Sequence, residues 1–428
     1  MEPMGAPTRA GGARRLVTSG RPMPRSERSP GLPRAVVLLG FTSLFTDIGT
    51  EMIFPLLPVF LTEVLRAGPA YLGLVEGAAD TVSSLLKLVS GVLADRTSKR
   101  QPLVLFGYGL ASSVRPFVAL ATRPWHVLAV RVTDRIGKGI RSSPRDALIA
   151  DAAGTRAGRA FGFHQAMDNV GAVVGPLLAT ALVAASLSIR SVFWIAVIPG
   201  AVATILVALV REPTRPAATD ASAPAPPSAD GTPPAPPLFH PSLVAYLAVL
   251  ATFSLANSSD AFLLLRARSL GLTTAEIPIL WAVLNLSKVI WAYLGGYLAD
   301  RLPQARLIAA GWFVYALVYA GLGWSTAAWH VWSLFVVYGI FYGLTEPVEK
   351  ALVKDLVPSA QRGRAYGAYN FVVGITALPA GLLTGLLWHA LGPTITLAIG
   401  ASLAAVAAVL LLVWDRWRAT ATAGTSPP

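Results

Sequence analysis

Ionisable side chains recur within one stretch of otherwise apolar sequence, at residues 131–145. Their spacing of three or four places them on one face of a helix, which has 3.6 residues per turn. The stripe consists of Arg131, Asp134, Arg135, Lys138, Arg141 and Arg145. Such a face can hold an anion or relay a proton, and it can equally form a structural network of salt bridges. In the structural alternative, Arg141 and Arg145 extend towards water.

Acidic residues in other apolar stretches could carry protons. Asp47 and Glu51 are four residues apart, and so are Glu76 and Asp80, so each pair shares a helix face. A carboxyl group in a dry cavity can exchange a proton at physiological pH, although paired structural acids are also common. The candidates are Asp47, Glu51, Asp80, Asp134, Asp260 and Glu346. Asp47, Glu51 and Asp134 rank first among them.

The composition predicts that these charges lie in a membrane protein. Of the 428 residues, 54% are hydrophobic and only 13% are charged, against about 25% charged in soluble domains. The absence of cysteine excludes disulfides and thiolate metal sites. The net charge of +13 lies largely in tails and short loops, so we expect no nucleic-acid partner.

Apolar runs of about 20 residues predict twelve spanning helices. The predicted spans are 36–62, 70–94, 102–122, 125–150, 160–186, 190–210, 242–267, 275–299, 304–324, 328–354, 364–388 and 392–414. Several contain charges, so hydropathy alone identifies them less clearly. Internal charge is scarce in spans 3, 6, 9 and 12, which are therefore predicted to face lipid, while spans 1, 4, 7 and 10 line a central cavity.

The chain divides into two similar halves. GVLADR at 91–96 matches GYLADR at 296–301, and GRAFG at 158–162 matches GRAYG at 363–367. Trp125-His126-Val127 likewise matches Trp329-His330-Val331. The predicted fold is an all-α integral membrane protein with two six-helix bundles, related by a pseudo-twofold axis along the membrane normal.

The predicted domain order is set by this repeat and by composition. The segments are a disordered basic tail (1–34), a first bundle (35–211), a Pro/Ala-rich linker (212–240), a second bundle (241–416) and a disordered tail (417–428). No cleavable signal peptide is expected. Basic residues cluster in the N-terminal tail, at the C-terminal end and in alternate loops, on the same side as the linker. This predicts a multi-pass protein of the cytoplasmic membrane with both termini cytoplasmic.

These motifs resemble those of the major facilitator superfamily. Its loop signature, roughly G-x-x-x-D-R-x-G-R-R, is similar to the run from Gly91 to Arg100, with Ser98 where glycine is usual. The resemblance implies that Asp95 and Arg96 latch a cytoplasmic gate, and the repeat extends this role to Asp300 and Arg301. We add the hypothesis that Arg145 and Glu349 form an ion pair across the same gate.

Two further motifs resemble those of drug exporters in the superfamily. Arg131 matches the arginine of their fourth-helix motif, and GAVVGPLLA at 171–179 is similar to their Gly/Pro-rich fifth-helix motif. The complete run around Arg131 is closer to bacterial members that share DRxGKGxRxxPRDAL. Glycines of this kind also serve ordinary helix packing.

The expected function is secondary active transport by alternating access, specifically proton-coupled efflux of a drug-like compound or metabolite. The alternative is an anion exchanger or uptake system for organic phosphates or carboxylates, which Arg131, Arg135 and Lys138 would suit. A membrane-embedded enzyme and a non-transporting receptor are rivals from other classes. We expect no cofactor or metal, because no Walker loop or HExxH motif occurs, and we expect a functional monomer.

Overall fold

Lipid offers no hydrogen-bond partner to a peptide group, so spanning segments satisfy their backbone internally as helices. The structure is a computed structural model that describes residues 31–97, 99–153, 157–212, 240–299, 301–357 and 362–423. Within these ranges the chain is almost entirely helical. The helices are numbered α1 to α12 in chain order.

The first half contains α1 to α6. Their bounds are Arg34–Val64, Pro69–Arg96, Gln101–Leu120, Pro124–Ala153, Ala157–Ala184 and Ile189–Ala208. Each coincides with a predicted span to within one helical turn.

The second half contains α7 to α12. The first four are Pro241–Ser269, Glu276–Ala299, Gln304–Trp324 and Ala328–Leu356. The helical run Arg362–Ala423 divides into α11 and α12 at Gly392, whose φ of 80° is not helical. Glycine tolerates this backbone conformation because it has no Cβ.

The second predicted tail is wrong in part. Residues 417–423 continue α12 instead of being disordered. Most of the first predicted tail and of the linker, residues 1–30 and 213–239, lies outside the described residues, as do residues 424–428.

Hydropathy alone would have missed some of these helices. Eight helices are long and apolar enough to cross a membrane by length and composition, and one of these is the combined α11 and α12 run. Among the described residues, α2, α4 and α8 do not qualify. Helix α4 carries the basic stripe, so its charges must be sheltered by the other helices.

The repeat is visible in how α4 and α10 begin. The Nδ1 atom of His126 accepts hydrogen bonds from the backbone N–H groups of Thr122 and Arg123, at 3.2 and 3.4 Å. His330 Nδ1 accepts equivalent bonds from Thr326 and Ala327 at 3.4 and 3.3 Å. Both histidines therefore hold the turn before their helix, a role that adds to the predicted membrane-edge position.

Short connections make consecutive helices run antiparallel, which gives the bundle two ends. We call the end where α1 begins and α12 finishes the terminal side, and the other end the opposite side. Several contacts between the halves lie on the opposite side. There Arg268 of α7 pairs with Glu63 of α1 at 2.6 Å, and the Thr180 hydroxyl donates to the Ala275 carbonyl at 3.1 Å.

Helices α2 and α11 approach each other closely through glycines. Cβ atoms added at Gly73 or Gly77 of α2 would collide with the backbone of Gly381 or Ala377 of α11. Small residues at such crossings let two backbones pack without side chains between them. This interface joins the two halves along the opposite side.

Replacing Gly73 with alanine should separate this interface. Overpacking typically costs about 1–3 kcal/mol, so we expect a lower thermal unfolding midpoint for the purified protein in detergent. Gly162→Ala is the matched control, because nothing lies within 4 Å of the added Cβ. Equal midpoints for the two variants would contradict the proposed close contact.

Candidate functional site

A cavity of about 490 Å³ lies between the two halves. Its walls come from α1, α2, α4, α7, α8, α10 and α11, together with Arg115 of α3. None of its described lining residues belongs to α6, α9 or α12, whose surfaces instead expose apolar side chains such as Ile205, Leu317 and Val413. The predicted lining by α1, α4, α7 and α10 is confirmed, and α2, α8 and α11 are added to it.

Most predicted pathway residues line this cavity. Seven of the nine predicted positions do so, namely Asp47, Glu51, Asp80, Arg135, Lys138, Asp260 and Glu346. The charged stripe of α4 thus faces a cavity and not lipid. Water can reach the cavity, because the side chain of Asp80 is 54% exposed.

Arg131 and Asp134 are the exceptions, because neither lines the cavity in this conformation. Their place on the pathway stays a prediction. Arg131 forms a forked contact with both carboxylate oxygens of Glu76, each at 2.9 Å. Asp134 accepts a 2.7 Å hydrogen bond from Arg115. Both are nearly fully buried. They share the α4 stripe but lie nearer the opposite side, where the helices close around them.

Two of the α4 cations that face the cavity, Arg141 and Lys138, lack close counter-ions, whereas Arg135 lies 3.8 Å from Asp80 and from Asp134. Arg141 is only 5% exposed, and its Nε and Nη1 atoms have no hydrogen-bond partner among the described residues. Its guanidinium lies 4.0 Å from the ring centroid of Tyr108. The side chain of Lys138 also forms no hydrogen bond or ion pair within the described chain. Arg141 is therefore a buried cavity residue and does not extend towards water.

The acids of α1 lie where α5 passes closest. A Cβ added at Gly171 would sit 2.9 Å from the Cβ of Asp47, and one at Gly175 would sit 2.9 Å from that of Glu51. The glycines of the α5 motif thus allow α5 to pack against the acid-bearing face of α1. The Glu51 carboxylate accepts a 2.5 Å hydrogen bond from Trp281 Nε1 of α8. This bond connects the two halves inside the cavity.

A break in α7 positions the acid of the second half. Regular α-helix stops at Ala256 and resumes at Ala261, so Asp260 projects from an irregular segment. It accepts hydrogen bonds from Tyr338 and Tyr342 of α10, at 2.9 and 2.6 Å. Lys288 of α8 completes the group at 3.5 Å from the same carboxylate. The cluster satisfies Asp260 within the second half.

The predicted gate residues are only partly described. Arg145 pairs with Asp146 at 2.8 Å, while Glu349 accepts hydrogen bonds from Tyr369 and Trp312 at 2.6 and 3.3 Å. The predicted Arg145–Glu349 ion pair is not formed in this conformation, because each side chain is satisfied within its own half, and it stays a prediction for the closed gate.

The remaining gate positions belong to the two repeated loops. Asp300 lies outside the described residues, and so do the side chains of Asp95 and Arg96. Arg301 is described and begins the turn that leads into α9.

Several cavity residues carried little signal in the sequence. Trp281 and Tyr342 contact the cavity charges, yet aromatic residues are too common in apolar helices to be singled out. Arg115 was recognisable as the one charge within the third span. Within the described ranges, no cluster of histidine and acidic residues fits a metal ion.

Comparison with known proteins identifies the family. The sequence profile of the Major Facilitator Superfamily matches residues 39–378 and 261–427. The chain is 31% identical over 394 residues to an uncharacterized MFS-type transporter of Methanocaldococcus jannaschii, covering 90% of this chain and 96% of that protein. The chain belongs to the Major Facilitator Superfamily. It is a membrane transporter of a small solute and not an enzyme.

Two further similarities bear on fold and function. The chain is 24% identical over 333 residues to the multidrug resistance protein MdtH of Yersinia pestis, covering 76% of this chain and 80% of that one. A bacterial homologue of the human lysosomal transporter Spinster, in an inward-facing and unoccupied conformation, superposes with a TM-score of 0.68. It is 17% identical, with 89% of this chain and 94% of that one covered. The predicted two-bundle helical fold is confirmed.

Neutralising Glu76 or Glu63 should change the free energy of unfolding by different amounts, because one ion pair is buried and the other is exposed. Glu76→Gln removes the close counter-ion of the buried Arg131 and leaves only Asp134 at 3.9 Å. Breaking such a buried pair typically costs about 3–5 kcal/mol. Glu63→Gln breaks a pair whose members are 45% and 30% exposed, worth about 0–1 kcal/mol. Thermal unfolding of the purified variants should show a large loss for the first and a small one for the second. Equal losses would contradict a structural role for the buried pair.

Proposed function

We propose that this protein is a secondary active transporter that exports a small organic solute in exchange for protons, by alternating access. One observation carries the proposal. The cavity between the halves gathers ionisable groups from both of them, and Asp47 within it has no hydrogen bond or ion pair among the described residues. A carboxylate held in a low-dielectric cavity without a partner is suited to bind and release a proton.

The closed opposite side supports an alternating-access cycle. The Glu63–Arg268 pair and the α2–α11 glycine contact join the halves there, while the cavity stays accessible to solvent. The basic loops favour placing the terminal side in the cytoplasm, so we assign this conformation to the inward-open state of a cytoplasmic-membrane protein. We propose that the repeated loop residues Asp95, Arg96, Asp300 and Arg301 close the terminal side in the alternate state.

Glu51 could transmit proton binding to the arrangement of the halves. Its bond to Trp281 Nε1 crosses from α1 to α8, and hydrogen bonds to an ionised carboxylate are stronger than those to a neutral one. Protonation would therefore weaken a contact between the halves inside the cavity. This gives Asp47 the role of proton carrier and Glu51 the role of sensor.

The direction of transport rests on a different argument. The sequence has no Walker loop for ATP, so an ion gradient is the available energy source. The similarity to a protein named for multidrug resistance favours export. We further propose that the monomer is the functional unit, since each chain has its own cavity.

Anion uptake or exchange is the second candidate. It is favoured by Arg141 and Lys138, two cations that line the cavity without close counter-ions. An anion bound beside Asp47 would favour protonation of that acid, so solute and proton would travel together. The two candidates therefore differ in the sign of proton movement.

Solute-driven proton movement in proteoliposomes separates the candidates. The solute comes from a counterflow screen of dyes, amino acids and organic phosphates, and a trapped pH dye reports the lumen. Export by exchange predicts that inward movement of solute makes protons leave the lumen. Protons that enter with the solute would favour anion symport, and no proton movement would reject coupling.

Asp47→Asn and Glu51→Gln should uncouple transport from protons. We expect solute-driven proton movement to fall at least about tenfold, because each change removes a titratable site, while counterflow at equal pH persists. This corresponds to about 1.4 kcal/mol or more in the coupled step. Asp355→Asn, an exposed acid outside the cavity, is the matched control. Full coupling in both cavity variants would exclude these acids as the proton sites.

A further inference from the structure

Charges of opposite sign face the same cavity from the two halves and lack close counter-ions. Lys138 and Arg141 belong to α4 of the first half, and Glu346 belongs to α10 of the second. Several other cavity charges already have partners, such as Lys288 with Asp260, and Asp47 is assigned above to the proton. The unpaired groups are those that a ligand could satisfy.

The basic group is built to receive an anion. Arg141 is nine-tenths buried, and two of its nitrogen atoms lack a hydrogen-bond partner. Lys138 lies one turn away on the same face of α4. The charge of Asp47 acts on it, but the two side chains form no direct ion pair. Buried cations without hydrogen bonds are costly unless something compensates them. A guanidinium and an ammonium side by side suit a carboxylate, phosphate or sulfonate.

The acidic group lies on the cavity wall of the second half. Glu346 is exposed within the cavity and forms no hydrogen bond or ion pair among the described residues. In the repeat, Glu346 takes the position of Ser142, the neighbour of Arg141. Glu349, by contrast, is satisfied by Tyr369 and Trp312. Glu346 is thus available to an ammonium group.

Aromatic side chains line the cavity alongside these charges. Phe54 and Trp281 contact each other with ring centroids 4.9 Å apart, and Tyr342 lies on the α10 wall. Flat apolar surfaces of this kind bind the body of an organic ligand, while a few polar groups orient it. A volume of about 490 Å³ is within the usual range for such sites.

We propose that the transported solute is a zwitterion with an aromatic or apolar body. Its anionic group binds to Arg141 and Lys138, and its ammonium group binds to Glu346. The ligand therefore connects α4 of one half to α10 of the other. The transport role of this site rests on the proposed function, whereas the binding of a zwitterion does not.

This placement gives a physical reason why the loaded cavity closes more readily than the empty one. Closing the empty cavity on the terminal side would bury Arg141, Lys138 and Glu346 without counter-ions, whereas the zwitterion brings an opposite charge to the basic and the acidic group at once.

Four related probes test the proposal on the purified full chain. They are phenylalanine, N-acetylphenylalanine, phenylalanine methyl ester and N-acetylphenylalanine amide, which present both charges, only the anion, only the cation and neither. Binding raises the thermal unfolding midpoint by mass action. We expect phenylalanine to bind at least about tenfold more tightly than either singly charged probe, and the neutral probe to bind most weakly.

Variants then separate the two subsites. Lys138→Gln and Arg141→Gln should weaken phenylalanine and N-acetylphenylalanine about tenfold and leave the methyl ester unchanged. Glu346→Gln should weaken phenylalanine and the methyl ester and leave N-acetylphenylalanine unchanged. Arg141→Lys, which retains the charge, substitutes for Arg141→Gln if that variant does not fold. Arg123→Gln and Asp415→Asn are controls outside the cavity.

Equal binding of the four probes, no binding of phenylalanine, or the absence of this crossed pattern would overturn the proposal. The crossed pattern without transport of phenylalanine in proteoliposomes would support the site and reject the proposed function. If the protein transports other solutes but does not discriminate among the four probes, the proposed function is supported and the zwitterion site is rejected.

Discussion

The cost of placing ionised groups at bilayer depth governs this structure. Each costs about 2.5–3.5 kcal/mol on insertion scales when it stands alone on a spanning helix. The protein meets this cost in two ways. Some charges are buried in close pairs, as Arg131 is with Glu76, and others face a cavity that water can enter. The helices with the fewest internal charges form the apolar exterior.

These two solutions divide one helix into two functional parts. Towards the opposite side, the charges of α4 are locked into ion pairs that hold α2, α3 and α4 together. Further along the same face, Lys138 and Arg141 remain without close partners in the cavity. A static scaffold would have little reason to keep such groups unpaired. Their arrangement instead suits a ligand that changes the balance between two conformations, since only differential binding can shift an equilibrium.

The contacts between the two halves suit a change between two conformations. Glycines of α2 and α11 allow backbone contact on the opposite side, and a partly exposed ion pair, Glu63 with Arg268, lies beside them. The ion pair is not costly to break, because exposed ion pairs are weak. By contrast, the closest pairs that join α2, α3 and α4, Arg131 with Glu76 and Arg115 with Asp134, are buried. Each half can therefore move as a unit while the contacts between them exchange.

The sequence by itself determined the helices, the repeat and the family, because apolar length and residue type decide what can cross a bilayer. It also indicated most of the charged residues of the cavity, since a charged helix face must turn away from lipid. Only the tertiary structure decided which charges are paired. It placed Arg131 and Asp134 behind the cavity wall and Arg141 within it, and it brought Trp281 to Glu51. Helical periodicity gives the direction of a side chain, whereas its partner depends on how distant helices pack at that depth.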